Sequence, residues 1–318
     1  MGRSRSNGQE PTMSEGGEPA APRGSGGMDA ATRVFAAHRN LLFTVAYEML
    51  GSAADAEDAL QETWLRWIGV DLDTVRDQRA YLVRITTRQA LNRLRTLSRR
   101  KESYFGPWLP EPLLTTPDVA EDVELADSVS MAVLLVLETL TPIERVVFVL
   151  RDVFDVAYEE IAQAVGKSQA TVRQIAHRAR SHVAARRPLD VVSATETRSA
   201  LEAFQHAVAT GDLQSLLDIL APDVVFLGDG GGIRQAAPAP IVGADQVAPI
   251  AASLRRYGAA MSLHPAQVNG CPALILRLDG EIDTVIAVRV ERGLITGLYA
   301  VRNPEKLSRV EQETSLRR

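Results

Sequence analysis

Gln169, Arg173, Gln174 and His177 carry side chains able to hydrogen-bond to the edges of nucleic-acid bases, and they crowd into one short stretch. Glutamine presents the paired donor and acceptor that suit adenine, and arginine the two parallel donors that suit guanine. Gln169, Arg173, His177 and Arg180 recur every three or four residues, so a helix would set them in one outward row. Val172, Ile175, Ala176, Ala179 and Val183 would form its inward stripe. Lys167, Arg178, Arg186 and Arg187 lie around that row, with no acid from Lys167 to Arg187, and would neutralise phosphates.

A basic helix of this kind needs a partner to hold it. Tyr158, Ile161, Ala162 and Val165 have the spacing of one buried helical face, Gly166 supplies a tight turn, and Ser168 is placed to cap the next helix. The expected unit is a helix-turn-helix. A plain amphipathic hairpin with a solvated face would explain the periodicity but not the unbroken positive charge.

A second pair of helices lies upstream. Ser52 and Asp55 resemble a capping box opening a helix with an apolar side of Ala56, Leu60, Trp64, Trp67 and Ile68, where Trp64 reads as core. Its outer face is acidic, with Asp55, Glu57, Asp58 and Glu62. The sign then reverses: Arg79, Arg84, Arg88, Arg93, Arg95, Arg99, Arg100 and Lys101 follow without an intervening acid, among Tyr81, Leu82, Ile85, Leu91 and Leu94. Opposite charge on successive helices suggests two partners, one of them nucleic acid.

Residues 103–120 contain four prolines and read as a linker, yet Tyr104, Phe105 and Trp108 imply that it docks on something. A helical unit over 121–188 follows, with Thr141, Pro142 and Glu144 marking one helix start. Beyond residue 192 the pattern becomes α+β. Helices are expected through Phe204 and over Leu213–Leu220, and strands at Val224–Leu227, Leu274–Leu278, Thr284–Val290 and Ile295–Val301. Asp279-Gly280 and Arg292-Gly293 have the composition of hairpin turns. Helices before a curved antiparallel sheet would close a cone around an apolar pocket, a place for a small ligand or a peptide.

Bulk properties restrict the alternatives. The 318 residues suffice for two or three domains, and the net charge of -5 averages over segregated patches. A single cysteine, Cys271, excludes an internal disulfide and a thiol zinc cluster, which fits a reducing cytoplasm. His38, His177, His182, His206 and His264 are scattered, so no metal and no cofactor is expected. Residues 1–28 are rich in Gly, Ser, Glu and Pro, lack the apolar core of a signal peptide and are expected to be a disordered tail, with Met13 or Met28 as candidate starts. No apolar run is long enough for a membrane span.

Taken together, these residues resemble the extracytoplasmic-function class of bacterial RNA polymerase sigma factors. Residues 52–67 are similar to the family helix that docks on core polymerase, 79–100 to the helix that melts and reads the minus-ten element, and 154–183 to the unit that reads the minus-thirty-five element. Gly-Pro-Trp-Leu-Pro-Glu-Pro at 106–112, Asp-Gly-Gly-Gly at 229–232 and Asn-Pro-Glu-Lys-Leu at 303–307 resemble markers of a lineage with a SnoaL-like C-terminal extension. The sequence departs from that pattern at Asn92, where many members have aspartate, and at Ile233, where a lysine often follows the glycines.

The resemblance implies two all-α sigma domains, the second with the helix-turn-helix, followed by an α+β SnoaL-like/NTF2-like cone domain. It places them at 29–102, 121–188 and 192–310. It implies polymerase contacts at Asp55, Asp58, Gln61 and Glu62, and DNA contacts at Tyr81, Arg84, Arg88, Arg93 and Arg95 and at Lys167, Ser168, Gln169, Arg173, Gln174, His177 and Arg178. Regulatory contacts are expected between Trp108, Leu109 and Pro110 of the linker and Asp229, Gly230, Gly231, Asn303 and Pro304. The extension would thus regulate the sigma domains of its own chain. Core RNA polymerase and promoter DNA are the expected partners, with a small ligand for the C-terminal pocket and a monomeric free state. Two alternatives stand beside this reading. One is a ligand-responsive helix-turn-helix regulator; the other is a SnoaL-like cyclase or isomerase fused to a DNA-binding module, using carboxylates or histidines among His206, Asp223, Asp229, His264 and Asp283.

Overall fold

Three long helices begin the architecture: α1 (Ser25–Leu50), α2 (Ala53–Trp67) and α3 (Gln78–Glu102). The computed structural model describes residues 25–186 and 194–318. Most of the expected N-terminal tail, together with Arg187 and the joint at 188–192, lies outside those residues. Where the tail was expected to reach residue 28, α1 already begins at Ser25. Gly51, at φ +66°, turns the chain after α1, and the Ser52 hydroxyl caps α2 by accepting from Asp55 N. Asp77 caps α3 in the same way through Ala80 N. Their shared core holds Leu42, Leu50, Leu60, Trp67 and Leu82, each contributing about 1.5–3 kcal/mol by burial. Trp64 is only half-buried, its ring 5.2 Å from that of Phe35.

After the linker come α4 (Pro117–Glu121), α5 (Val123–Val129), α6 (Met131–Glu138) and α7 (Pro142–Phe148). At α7 the Thr141 hydroxyl and the Glu144 carboxylate make the reciprocal capping box. A π-helical turn over Val149–Val153 leads to α8 (Tyr158–Val165) and α9 (Gln169–Ala184), separated by Gly166 at φ +67°. Ile161 and Ala162 of α8 pack with Val172, Ile175, Ala176 and Ala179 of α9, the apolar seam of a helix-turn-helix. One continuous hydrophobic cluster joins this unit to the first three helices, and α3 packs directly against α7 and α8.

The C-terminal region wraps α10 (Ala194–Thr210), α11 (Leu213–Ile219) and α12 (Ala244–Ser253) against a six-stranded sheet. Its strands are β1 (Leu220–Asp229), β2 (Ile241–Val242), β3 (Met261–Val268), β4 (Cys271–Leu278), β5 (Glu281–Glu291) and β6 (Leu294–Val301), followed by α13 (Pro304–Leu307). The order is β2-β1-β6-β5-β4-β3, antiparallel except for the parallel β1–β6 pair. This is the α+β cone. Asp279-Gly280 and Arg292-Gly293 both have positive φ and make the hairpin turns.

A third turn of the same kind, Asn269-Gly270, joins β3 to β4. β3 escaped the sequence reading because it is an edge strand, where Pro265 and His264 are tolerated and alternation is weak. Residues 313–318, past the expected domain end at 310, return to the helical bundle: Leu316 enters its core and Arg317 N donates to the Thr44 hydroxyl. Among the described residues no helix is long and apolar enough to cross a membrane.

Candidate nucleic-acid interface

On α9 and the turn before it, Lys167, Gln169, Arg173, Gln174, His177 and Arg178 are all exposed. Three members of the expected surface are otherwise engaged, the first being Arg178, whose Nε lies 3.5 Å from Glu144 Oε1. The Ser168 hydroxyl caps α9 by accepting from Thr171 N, and it also pairs with the Thr171 hydroxyl. Arg180 is turned back onto α8 and the preceding turn, donating to Asp152 at 2.6 Å and to the Tyr158 hydroxyl at 3.3 Å. The readable row is therefore Gln169, Arg173, Gln174 and His177, with Arg173 resting 5.6 Å from the centre of the Tyr158 ring.

The second cationic surface differs more from expectation. Tyr81 is half-buried against Trp67, with the Arg84 guanidinium 4.7 Å above its ring. Arg84 reaches Gln163 Oε1 at 3.4 Å, and Arg88 donates to the Gln163 carbonyl at 2.9 Å and the Ala164 carbonyl at 3.3 Å. Those carbonyls close the C-terminal turn of α8, where a cation is favoured by the helix dipole. Arg95 stays exposed beside Asn92.

Arg93 is a correction. Its guanidinium faces α2 and pairs with Asp55 at 3.4 Å, Asp58 at 3.2 Å and Glu62 at 2.9 Å. The reason is geometric: α2 packs alongside α3, and carboxylates three and four residues apart on α2 converge on one point. Arg93 is thus not free for a phosphate, and the acidic face is part-neutralised from within. The Asp58 side chain remains 58% accessible, Glu62 46%, and Gln61 is exposed beside Trp64.

The linker runs through a built cradle centred on Asp229, which is fully buried at the end of β1. One of its carboxylate oxygens accepts from the Tyr104 hydroxyl at 2.5 Å and from Gly231 N at 3.1 Å. The other accepts from Leu109 N at 2.8 Å and from Lys306 Nζ at 2.7 Å. Lys306 also donates to the Leu109 carbonyl and lies 3.5 Å from the Trp108 ring centre. Burial lowers the Lys306 ammonium to about 8, against the pull of Asp229. Asn303 donates to the Tyr104 hydroxyl at 2.9 Å and caps α13, whose first residue is Pro304. A Cβ on Gly231 would collide with Asn303, and one on Gly230 with the Arg234 carbonyl, so both positions need glycine. Leu109 and Pro110 are buried, but Phe105 is 68% exposed, contrary to the docking expected of all three aromatics.

Past Pro110 the linker seats on the other units. Glu111 is buried at the N-terminus of α2, accepting from Ala53 N at 2.7 Å and Ala54 N at 3.3 Å. Burial nonetheless raises its carboxyl above the usual range. Asn269, in the missed hairpin turn, accepts from Leu113 N and donates to both the Tyr47 hydroxyl and the Val129 carbonyl. It touches the linker, α1 and α5 at once. The Asn-Gly pair between apolar runs was the sequence signal that could have revealed it. Behind it lies a buried charge cluster, in which Glu138 pairs with Arg145 at 2.7 Å and with Lys101.

The groups considered for catalysis do not assemble. Asp229 is committed to the linker, His264 to Ser262, and Asp283 to Arg302, while His206 and Asp223 are exposed.

Two all-helical DNA-reading units followed by a SnoaL-like cone make a transcription-initiation factor of the sigma type. Residues 34–100 match Sigma-70 region 2, and residues 130–183 match Sigma-70, region 4. The chain belongs to the ECF RNA polymerase sigma factors. It is 35% identical over 288 residues to the ECF RNA polymerase sigma factor SigJ of Mycobacterium tuberculosis, covering 86% of this chain and 92% of that protein. It is 33% identical over 289 residues to the probable ECF RNA polymerase sigma factor SigI of the same organism, covering 90% and 97%. The crystal structure of Mycobacterium tuberculosis SigJ superposes with a TM-score of 0.71 at 35% identity, over 88% of this chain and 99% of that one. This membership disfavours the ligand-responsive regulator and the fused-enzyme alternatives.

Proposed function

We propose that this sigma factor rests in a closed form, in which its C-terminal domain holds the two promoter-reading units against each other, and that it opens on polymerase. The carrying observation is the Asp229 cradle, which fastens the linker between those units to the cone. The contact of Arg88 with Gln163 and Ala164 supports it from the other side. Elements about 25 base pairs apart lie on the order of 85 Å apart along a duplex. A region 2 helix touching a region 4 helix cannot span that distance. Residues 103–116, once released, could extend roughly 3.3–3.6 Å per residue and so help to separate the units.

In the open form Gln169, Arg173 and Gln174 read bases, with His177 beside them and Lys167 and Arg178 on phosphates. Arg84, Arg88 and Arg95 contact the backbone and the displaced strand, and Tyr81 offers a stacking face once Arg84 moves. Asp58, Gln61 and Glu62 of α2 contact core polymerase. The working units are 29–102, 121–188 and 192–310, and the factor acts as a monomer in the cytoplasm until it meets polymerase.

Transcription from a cognate promoter with purified core polymerase tests the regulatory part. The Asp229→Asn chain should initiate at a different rate from the unaltered chain, as should a chain ending at residue 191. Equal initiation by all three would overturn the proposal.

A further inference from the structure

The cone contains a cavity of about 420 Å³ that the promoter-reading function does not use. Its interior is apolar, walled by Phe204, Phe226, Leu276 and Leu298 among others, and its size is that of a small-molecule site. Its polar groups gather at one end. The pairings Met261–Leu278 and Leu276–Thr284 bring the segment 254–260 to the same end of the sheet as Asp283 and Arg302.

That end carries excess positive charge. Asp283 and Arg302 form a bidentate pair at 2.9 Å and neutralise each other. Burial opposes ionisation of Asp283, but hydrogen bonds from Arg302 and Thr284, with the charges of Arg302 and Arg234, hold its carboxyl below the usual range. Arg256 lines the cavity, donating to the Tyr257 hydroxyl at 3.1 Å, with the Tyr257 ring beneath its guanidinium. Among the described residues Arg256 makes no ion pair, while Arg234 acts on Asp283 through its charge without pairing directly with it. An apolar chamber with an unpaired guanidinium at its rim is complementary to a molecule with a hydrophobic body and an anionic head.

We infer that the cone binds an amphipathic anion, with its apolar body among Phe204, Phe226, Leu276 and Leu298 and its anionic head on Arg256. The cavity shares a wall with the linker cradle. Gly228 lines the cavity and Asp229 follows it, while Arg302 donates its backbone N–H to the Asp229 carbonyl at 2.7 Å and its Nη1 to the Gln235 carbonyl at 2.6 Å. Ala237 and Pro238 form part of the wall, and a Cβ on linker Gly106 would lie 3.8 Å from the Ala237 carbonyl. An occupant that shifts residues 235–238 therefore presses on the linker. This coupling rests on the regulatory reading above; the binding itself does not.

The test is calorimetric titration of the full chain with dodecanoate and dodecyltrimethylammonium, each below its micelle concentration, and with dodecanol below its solubility limit. Dodecanoate should bind saturably with one site and at least about tenfold more tightly than the alcohol or the cation, the worth of one charge-assisted hydrogen bond. Arg256→Ala, at an exposed position, should remove most of that preference. Ala251→Trp should fill the chamber and abolish binding, with a melting curve establishing that the variant is folded. Absence of dodecanoate binding, a preference untouched by Arg256→Ala, or full binding by folded Ala251→Trp would each overturn the assignment. Because the read-out is binding, these failures leave the regulatory reading to be judged separately by the Asp229→Asn transcription assay.

Discussion

Asn269 Nδ2 lies 2.6 Å from the Tyr47 hydroxyl, joining a hairpin turn of the C-terminal sheet to the first helix of the bundle across 222 positions of sequence. Tyr47 passes the link on by donating to the Glu111 carbonyl at 2.6 Å, so helix, linker and sheet share one buried hydrogen-bond chain. Burial pushes the Tyr47 phenol far above its ordinary range and keeps it a donor.

Asn269→Ala should destabilise the chain by about 1–3 kcal/mol, because it strands the Leu113 N–H and the Val129 carbonyl and also places alanine at φ +55°. Asn269→Gly keeps the backbone conformation and isolates the hydrogen-bond loss. Denaturant unfolding checks both, and stabilities within a few tenths of a kcal/mol of the unaltered chain would contradict the role given to this side chain.

Asp229 and Lys306 are a buried ion pair, so removing one partner should cost more than removing both. Asp229→Asn should lose about 3–5 kcal/mol, and Asp229→Asn with Lys306→Met should recover a large part of it. A double-mutant cycle by chemical denaturation measures this. Strict additivity would show that the pair does not act as a unit.

Stability should depend on pH through Glu48. Burial lifts its carboxyl from an ordinary 4.5 to about 8, with the Ser128 hydrogen bond and the Arg145 charge pulling the other way. Between those values the folded chain keeps a proton that the unfolded chain releases, so stability falls as pH rises from about 4.5 to 8. Glu48→Gln should flatten that decline in melting temperature. An identical slope in both proteins would rule Glu48 out as its source.

Arg173→Ala should weaken binding to a cognate upstream element by about 1–3 kcal/mol and relax preference at one base, leaving the salt dependence nearly unchanged. Lys167→Ala should instead reduce the salt slope by about one and weaken all sequences alike. Competition binding at several salt concentrations separates them, and matching behaviour of the two variants would merge their roles.

What was legible in the sequence followed local rules. Gly166, Ser168 and the stripe from Val172 to Val183 specify the helix-turn-helix within one segment, and Asp279-Gly280 and Arg292-Gly293 specify their hairpins. The linker aromatics and the glycines at 230–232 pointed toward each other because exposed rings and close backbone approach both demand a partner. Relations between distant elements were not legible. Nothing in the spacing of Arg93 says that α2 will lie beside it, and nothing in Arg88 says that α8 will end against it. Charge density along the chain read as free surface what packing had partly committed. Lys306 escaped for a related reason, since a buried lysine makes sense only once Asp229 is beside it.

The distance between α3 and α9 tests the closed resting form most directly. Spin labels at positions 95 and 174, both exposed, in a Cys271→Ser background would report it by pulsed electron resonance. The free chain should give one short distribution that lengthens by tens of ångström in the complex with core polymerase and promoter DNA. The same distribution in both states would contradict a resting form that has to open.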